Sequence, residues 1–309
     1  MKRILVTGVS SYIGNAVEQY LMERNAEEGH EVYRVDKVSV RGDGLERFSF
    51  GEGSGGAAYD AVLHVAGIAH ADIGGVSAET KELYYRVNCE LAVETAKKAK
   101  AEGVPLFIYM SSVIVYGDSA KVGETKQITA DTEPEPANFY GDSKRQAEKQ
   151  LALLESETFH VAVVRTPMVY GKGSKGNFPM LVKLAGKLPV FPDIRNERSM
   201  IYVENLAEFI RLLIENGKGG IFFPQNAEYV TTAQMVKAIG EAKGKNIRLL
   251  GALNPFVKLA SKMPGKIGGL ANKAFGSLTI DRELSNRDIA GYQIYMLEES
   301  VGKSVEKVE

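Results

Sequence analysis

The chain has no tryptophan, one cysteine and four histidines. A lone cysteine excludes an internal disulfide framework and fits a reducing cytoplasm. That residue, Cys89, falls in a stretch that reads as helix, where it serves as a small apolar filler rather than a nucleophile. So few histidines and cysteines, without ligand spacing, give no metal site to expect. The sequence also lacks any apolar run near the roughly 18 residues that a membrane-spanning helix needs. Charge of either sign is not in excess: 38 Lys and Arg stand against 39 Asp and Glu, a net charge of -1. That balance offers no electrostatic reason to expect nucleic acid as a partner. No internal repeat is visible, and a strand begins at Arg3 with no apolar leader before it, so the expected location is the cytoplasm.

What is present is ordinary for a globular protein: 309 residues, 44% hydrophobic and 25% charged. That length buries a large core in one big domain or two smaller ones. The run Ile4-Leu5-Val6-Thr7 reads as a buried parallel strand ending at Gly8. Gly8-Val-Ser-Ser11-Tyr12-Ile13-Gly14 then leads into a helical stretch reaching about Asn25. Strand, glycine turn and helix is the setting in which such a loop holds a diphosphate. Glycine lets the backbone approach closely, and the helix N-terminus presents N–H groups.

A second strand, Glu31 to Val35, is expected to end at Asp36. A carboxylate there, 28 residues after Gly8, accepts hydrogen bonds from an adenosine ribose and repels a 2′-phosphate. This favours NAD over NADP. Arg34, Lys37 and Arg41 pull the other way, and the plain alternative for Asp36 is a strand-end turn. Leu45 to Phe50 reads as a short third strand, and Gly51 to Gly56 as a flexible surface loop. Asp60 to Gly67 is the next buried strand, followed by a helix over 79–102 carrying Asn88. Pro105 to Met110 is a strand running into Ser111-Ser112, and Val161 to Val164 is another. Strands alternating with helices imply a doubly wound parallel α/β sheet, whose ligands sit beyond the carboxyl ends of the strands.

Tyr140 and Lys144 are four residues apart, followed by a helix-favouring run from Arg145 to Glu155. On a helix they share one face. A cation one turn from a phenol favours the phenolate and makes tyrosine a usable base, with ammonium donors left for a sugar hydroxyl. Taken alone the spacing also fits a surface helix.

In order along the chain, these segments resemble those of the extended short-chain dehydrogenase/reductases, in the NAD-dependent epimerase/dehydratase group that acts on nucleotide sugars. The matching segments are Thr7-Gly8 to Gly14, Asp60 to Gly67, Asn88, Ser111-Ser112 to Tyr116-Gly117, Tyr140 with Lys144, and Arg165-Thr-Pro167-Met-Val-Tyr170-Gly171. The resemblance implies a Rossmann-type sheet domain over 1–165, with 199–224 returning to it. A smaller substrate domain would be built from 166–198 and 225–309. It implies Ser112, Tyr140 and Lys144 as catalytic residues, Tyr140 being the acid/base and Lys144 holding the nicotinamide ribose and depressing the phenol. Gly8, Ser11, Tyr12, Ile13, Gly14, Asp36, Val65, Ala66, Gly67, Asn88 and Pro167, with Tyr140 and Lys144, would line NAD. Asn177 and Arg198 would meet the substrate, the arginine by bonding its diphosphate, although a surface salt bridge is an equal reading of Arg198.

Two positions depart from the family pattern. Ser11 replaces the middle glycine of the loop, which would strain it if a positive φ were needed. Met168 stands where many relatives carry a substrate-touching asparagine.

The dehydratases have Asp-Glu after the catalytic hydroxyl residue. Here those positions are Val113-Ile114, which disfavours dehydration. Two enzyme readings follow: an NAD-dependent 4-epimerase of a sugar carried by a nucleotide, UDP above all, or by a lipid diphosphate, and an NAD(P)H-dependent 4-keto-sugar reductase. A third class, a silent NAD(H) sensor, has no use for an intact Ser112, Tyr140 and Lys144. A homodimer, formed through the helices bearing Asn88 and Tyr140, and polysaccharide assembly are further implications. One stretch stands apart. Residues 254–277 mix apolar side chains with Lys258, Lys262, Lys266 and Lys273. They read as a lid over the sugar or as a weak membrane-surface contact, and Pro264-Gly265 and Gly268-Gly269 break any single long helix.

Overall fold

A computed structural model describes residues 1–40, 44–51, 58–69 and 76–305. Arg41 and nearly all of the glycine-dense loop after Gly51 lie outside the described residues. In chain order the elements are β1 (Lys2–Thr7), α1 (Tyr12–Glu28), β2 (Tyr33–Val38), α2 (Gly44–Arg47), β3 (Ala61–His64), α3 (Ala78–Tyr85), a π-helical turn (Arg86–Glu90), α4 (Leu91–Ala101), β4 (Leu106–Ser112), a 3₁₀ turn (Val113–Tyr116) and β5 (Gln127–Ile128). Then come α5 (Phe139–Ala152), β6 (His160–Thr166), β7 (Met168–Tyr170), α6 (Asn177–Lys187), β8 (Val190–Pro192), β9 (Met200–Tyr202), α7 (Val203–Asn216) and β10 (Gly220–Phe222). The chain closes with α8 (Thr232–Ala242), β11 (Arg248–Leu250), α9 (Asn254–Ser261), α10 (Lys266–Phe275), β12 (Thr279–Ile280), α11 (Arg282–Asn286) and α12 (Leu297–Val305).

The chain divides into two compact units. The first comprises 1–117, 133–166 and 206–224. Its six-stranded sheet runs β10-β6-β4-β3-β1-β2, and every neighbouring pair is parallel. Ile4, Leu5 and Val6 are all fully buried, as an apolar run covered on both faces must be. On one face Leu5, Val62, Phe107 and Val163 pack with Ala92, Val93 and Ala96 of α4 and with Ala147 and Leu151 of α5. Small residues on the helices let them approach the sheet closely. Each large buried side chain there is worth roughly 1.5–3 kcal/mol of transfer free energy. Elsewhere in the unit α1 buries Val17 and Leu21, while α7 buries Ile210 and Leu213. The Tyr20 hydroxyl donates to Glu208 at 3.0 Å and joins these two helices.

Two expectations for this unit fail. Leu45 to Phe50 is not a strand, since Gly44–Arg47 is one helical turn. Leu45 and Phe50 are the buried residues, with exposed side chains at Glu46, Arg47 and Ser49 between them. That spacing is not the period of two that a strand requires. The second strand does not end at Asp36 either. It runs to Val38, Asp36 is level with Leu5, and Gly8 N–H bonds the Val38 carbonyl at 3.0 Å.

The second unit comprises 118–132, 167–205 and 225–309. Residues 118–132, expected in the sheet domain, fall here because β5 pairs with β12. Likewise the return to the first unit begins at Leu206 rather than at residue 199. The second unit has three short parallel pairs, β5–β12, β7–β9 and β8–β11; the last of these, α6 and α12 all pack against α8. A capping box starts α8: Thr231 accepts from the Gln234 N–H and the Gln234 side chain accepts from the Thr231 N–H. Buried in the same unit, the Tyr170 hydroxyl bonds Ser300 at 2.7 Å and accepts from Asn226 at 2.9 Å.

Candidate active site

The first unit gathers most of the expected site residues at the carboxyl ends of its strands. Gly8 follows β1 with φ +92°, a conformation that side chains disfavour. A Cβ on it would lie 3.0 Å from the Ala66 nitrogen, and one on Gly14 would lie 2.8 Å from a Val6 methyl and 3.1 Å from a Val65 methyl. These glycines therefore allow the turn, α1 and the segment after β3 to close on one another. Ser11 is not strained: its φ is -70°, and its hydroxyl caps α1 by accepting from the Gly14 N–H at 3.2 Å. Tyr12 and Ile13 open the helix, so its positive end faces out of the glycine turn.

Val65, Ala66 and Gly67 lie just beyond β3, which stops at His64. The backbone here is held by Asn88. Its side-chain oxygen accepts from the Ile68 N–H at 2.8 Å, and its nitrogen donates to the Ile68 carbonyl at 3.0 Å and to the Ser143 hydroxyl at 3.2 Å. Asn88 sits in the π-helical turn, where the Leu91 N–H reaches back to the Arg86 carbonyl. The Asn88 carbonyl accepts from the Tyr109 hydroxyl at 2.7 Å. Its side chain thus braces the loop that would line a cofactor. A Cβ on Gly67 would lie 3.1 Å from the Asn88 oxygen and 3.4 Å from the Lys144 nitrogen, so all three converge.

At the end of β4 the two serines part. Ser111 is buried and donates to Glu148 at 2.6 Å. Ser112 is half-buried and caps the 3₁₀ turn by accepting from the Ile114 N–H at 3.3 Å. Next to that turn lies the first turn of α5, capped by Asn138, whose side chain accepts from the Gly141 N–H at 3.0 Å. Gly141 is what permits this approach, since a Cβ there would lie 2.7 Å from the Ile114 carbonyl oxygen.

Tyr140 and Lys144 both lie on α5, one turn apart. Tyr140 meets Tyr84 edge-on at 6.0 Å between centroids. Burial first, and then Tyr84, pushes its phenol up to about 12. Lys144 is buried, donates to the Met110 carbonyl at 2.9 Å and stands 4.6 Å over the Tyr109 ring. Burial pulls its ammonium down to about 8 against the opposing pull of Glu148. Desolvation sets the direction of the phenol's shift, opposite to the depression expected from Lys144.

The sequence reading missed Glu148. It continues the face of Tyr140 and Lys144 by one more turn, and that spacing was the available signal. Glu148 bonds Arg165 through both oxygens, at 3.1 and 2.7 Å, and Arg165 donates to the Tyr116 hydroxyl at 2.5 Å. This buried network ties α5 to the ends of β4 and β6. His64 is also enclosed: its Nδ1 is 3.0 Å from the Thr7 hydroxyl, and burial pulls its imidazole down to about 3. Cys89 is buried, and burial pushes its thiol up to about 11, consistent with a filler.

Asp36 is the residue misplaced by the sequence. At about 3.3 Å per residue it lies roughly 10 Å down β2 from the level of Gly8. Its carboxylate faces Arg3 at 3.6 Å and Arg34 at 3.9 Å. Pro167, Asn177 and Arg198 belong to the second unit. Pro167 precedes β7, in which Met168 is level with Met200. Asn177 is the first residue of α6. Arg198 donates to the Lys273 carbonyl at 2.7 Å, near the C-terminus of α10. Burial pulls its guanidinium below the usual range.

The sequence profile of the NAD dependent epimerase/dehydratase family matches residues 4–223. The chain belongs to this family. A UDP-glucose 4-epimerase of Vibrio cholerae is 31% identical over 294 residues, covering 91% of this chain and 87% of that protein. An N-acetyl-alpha-D-glucosaminyl-diphospho-ditrans,octacis-undecaprenol 4-epimerase of Escherichia coli O157:H7 is 26% identical over 70% of this chain and 64% of that one. Among solved structures, human epimerase family protein SDR39U1 with NADPH superposes with a TM-score of 0.73 at 18% identity, covering 99% of this chain and 100% of that one. At that identity the likeness is one of fold. The glycine turn at Gly8 and the opening of α1, whose first N–H groups point out of the helix, fit the diphosphate of a dinucleotide.

Proposed function

We propose that this protein is an NAD-dependent 4-epimerase of a sugar carried on a diphosphate, with a UDP-sugar as the first substrate to test. The observation that carries the proposal is the pairing of Tyr140 and Lys144 on one face of α5, beside Ser112 at the end of β4. The Vibrio cholerae relative, which resembles this chain over most of its length, supports the same reading.

Bound NAD supplies a hydride acceptor that returns the hydride later in the same cycle. The protein's own residues handle the proton. Ser112 hydrogen-bonds the sugar 4-hydroxyl and holds it toward Tyr140, which takes its proton as the carbon is oxidised and gives it back on reduction. A phenol near 12 is a weak base at neutral pH, and the Lys144 ammonium one helical turn away would favour the phenolate during proton transfer. Val113 and Ile114 carry no acid or base for eliminating water. Arg198 retains donors for a diphosphate beyond the one given to Lys273. Asp36 faces Arg3 and Arg34, so the choice of NAD rests on the NAD dependent family to which the chain belongs. A homodimer in the cytoplasm belongs to the same proposal, and sedimentation would test the assembly.

The deciding assay follows UDP-glucose, UDP-galactose and their N-acetyl forms by NMR with no reductant added. Appearance of the C4 epimer is the expected result. No conversion, together with consumption of NADH by a 4-keto sugar, would replace epimerase by reductase. Conversion only of a polyprenyl-diphosphate sugar would keep the chemistry and change the carrier.

A further inference from the structure

Between Glu241 and Asp281 the chain has seven Lys or Arg and no Asp or Glu, although the whole molecule carries a net charge of only -1. In the middle of this stretch α9 and α10 form a helical hairpin. Pro255 opens α9, and Pro264-Gly265, with Gly265 at φ +74°, turns the chain into α10. The Asn272 side chain donates to the Ser261 carbonyl at 3.0 Å and ties the two arms together.

From behind, the hairpin is held by ordinary contacts within its own unit. Phe275 packs on Phe191 at 5.7 Å between centroids. The Asn272 oxygen accepts from the Val122 N–H at 3.0 Å, and Thr232 donates to the Ala274 carbonyl at 2.6 Å. Away from these contacts, five of its apolar side chains are open. Phe256 is 69% exposed, Leu259 66%, Met263 45%, Ile267 53% and Leu270 60%. Within α9 the exposed pair Phe256 and Leu259 is spaced i, i+3, as is Ile267 and Leu270 within α10, so each pair shares one helix face. Lys258, Lys262, Lys266 and Lys273 are exposed among them. Single exposed apolar residues need no explanation, but a cluster of this size on one hairpin does.

We propose that the α9–α10 hairpin seats this protein on an anionic lipid surface, its apolar side chains entering the headgroup boundary and its lysines meeting lipid phosphates. The chemistry is that of an interfacial amphipathic segment, apolar on one side and rich in lysine around it. A second copy of the chain fits less well as the occupant, because pairing two such hairpins brings like charges together without an acidic residue to offset them. Among the described residues no helix is long and apolar enough to cross a membrane, so attachment would be peripheral. The inference does not rest on the epimerase reading, since it uses none of the site residues.

The test is co-sedimentation of the full chain with vesicles of phosphatidylcholine alone and with vesicles that also contain phosphatidylglycerol. Binding is expected only to the anionic vesicles, at moderate ionic strength, and it should be reversed by high salt. Replacing Lys258, Lys262, Lys266 and Lys273 by Gln should weaken partitioning about five-fold for each lysine removed. Phe256→Ser with Leu270→Ser should weaken it too, while circular dichroism and the thermal melt stay close to wild type, because neither side chain is buried. Protein that stays in the supernatant with anionic vesicles overturns the proposal. So does binding that neither set of substitutions changes. Self-association without lipid, abolished by the serine pair, would overturn it in favour of a second copy.

Discussion

In the proposed mechanism Tyr140 exchanges the proton with the sugar, so Tyr140→Phe separates chemistry from binding. Turnover should fall by about 10²–10⁴-fold. NAD binding measured by calorimetry should hold within a few-fold, because the ring and its edge contact with Tyr84 survive. Asp36 makes the opposite case. A ribose-reading carboxylate would lose its preference for NAD on truncation, whereas Asp36 faces Arg3 and Arg34 inside β2. Asp36→Ala should therefore leave the ratio of NAD to NADP affinity nearly unchanged. Because the cluster is partly exposed, the cost to stability should be no more than about 1 kcal/mol. A large swing toward NADP would return Asp36 to the cofactor site.

At the scale of the element, the site depends on how closely α5 can lie against the end of β4. Gly141 sets that distance, since any side chain there would press on the Ile114 carbonyl. Gly141→Ala should push the first turn of α5 away from Ser112. We expect kcat to drop by about ten-fold or more, as small misplacements near reacting groups do, while the unfolding midpoint moves only modestly. The comparison of interest is Ser11→Gly, which removes a cap but not a fit. Glycine is nearly as good an N-cap, so that change should cost only a few tenths of a kcal/mol and leave cofactor binding intact. Serine takes the place of the middle glycine without strain, because its backbone is extended, with φ -70°.

Over the whole molecule, two buried bases tie stability to pH. His64 is held neutral, with its imidazole at about 3 rather than 6.5. Between those values the unfolded chain binds the proton and the native chain does not. The stability His64 contributes is therefore complete above about 6.5 and is lost as pH falls toward 3. The slope is at most about 1.4 kcal/mol per pH unit. Lys144, at about 8 rather than 10.5, acts with the same sign in a higher window, and stability from it grows as pH rises from about 8 to 10.5. Urea unfolding at a series of pH values would check both. His64→Phe keeps the ring packing, and it should flatten the acid limb between pH 4 and 6 even if it lowers stability overall.

The sequence by itself determined the class of fold, the glycine turn, and the helix bearing Tyr140 and Lys144. Apolar runs, glycine positions and helical spacing are local properties of a chain. It also exposed the basic apolar stretch after Asn254 and the break at Pro264-Gly265. Tertiary structure decided what depends on register and enclosure. Only pairing with β1 showed that Asp36 stops short of the strand end, because a strand's length is set by its neighbour. Only packing showed that Leu45 and Phe50 fill a core without forming a strand, and that Asn88 braces a backbone. Burial is the main cause that moves the Tyr140 phenol up and the Lys144 ammonium down, and desolvation is a property of the folded surroundings rather than of the residue. The same holds for the α9–α10 hairpin: the pattern of residues was legible in sequence, but which side faces outward was settled by what the rest of its unit covers.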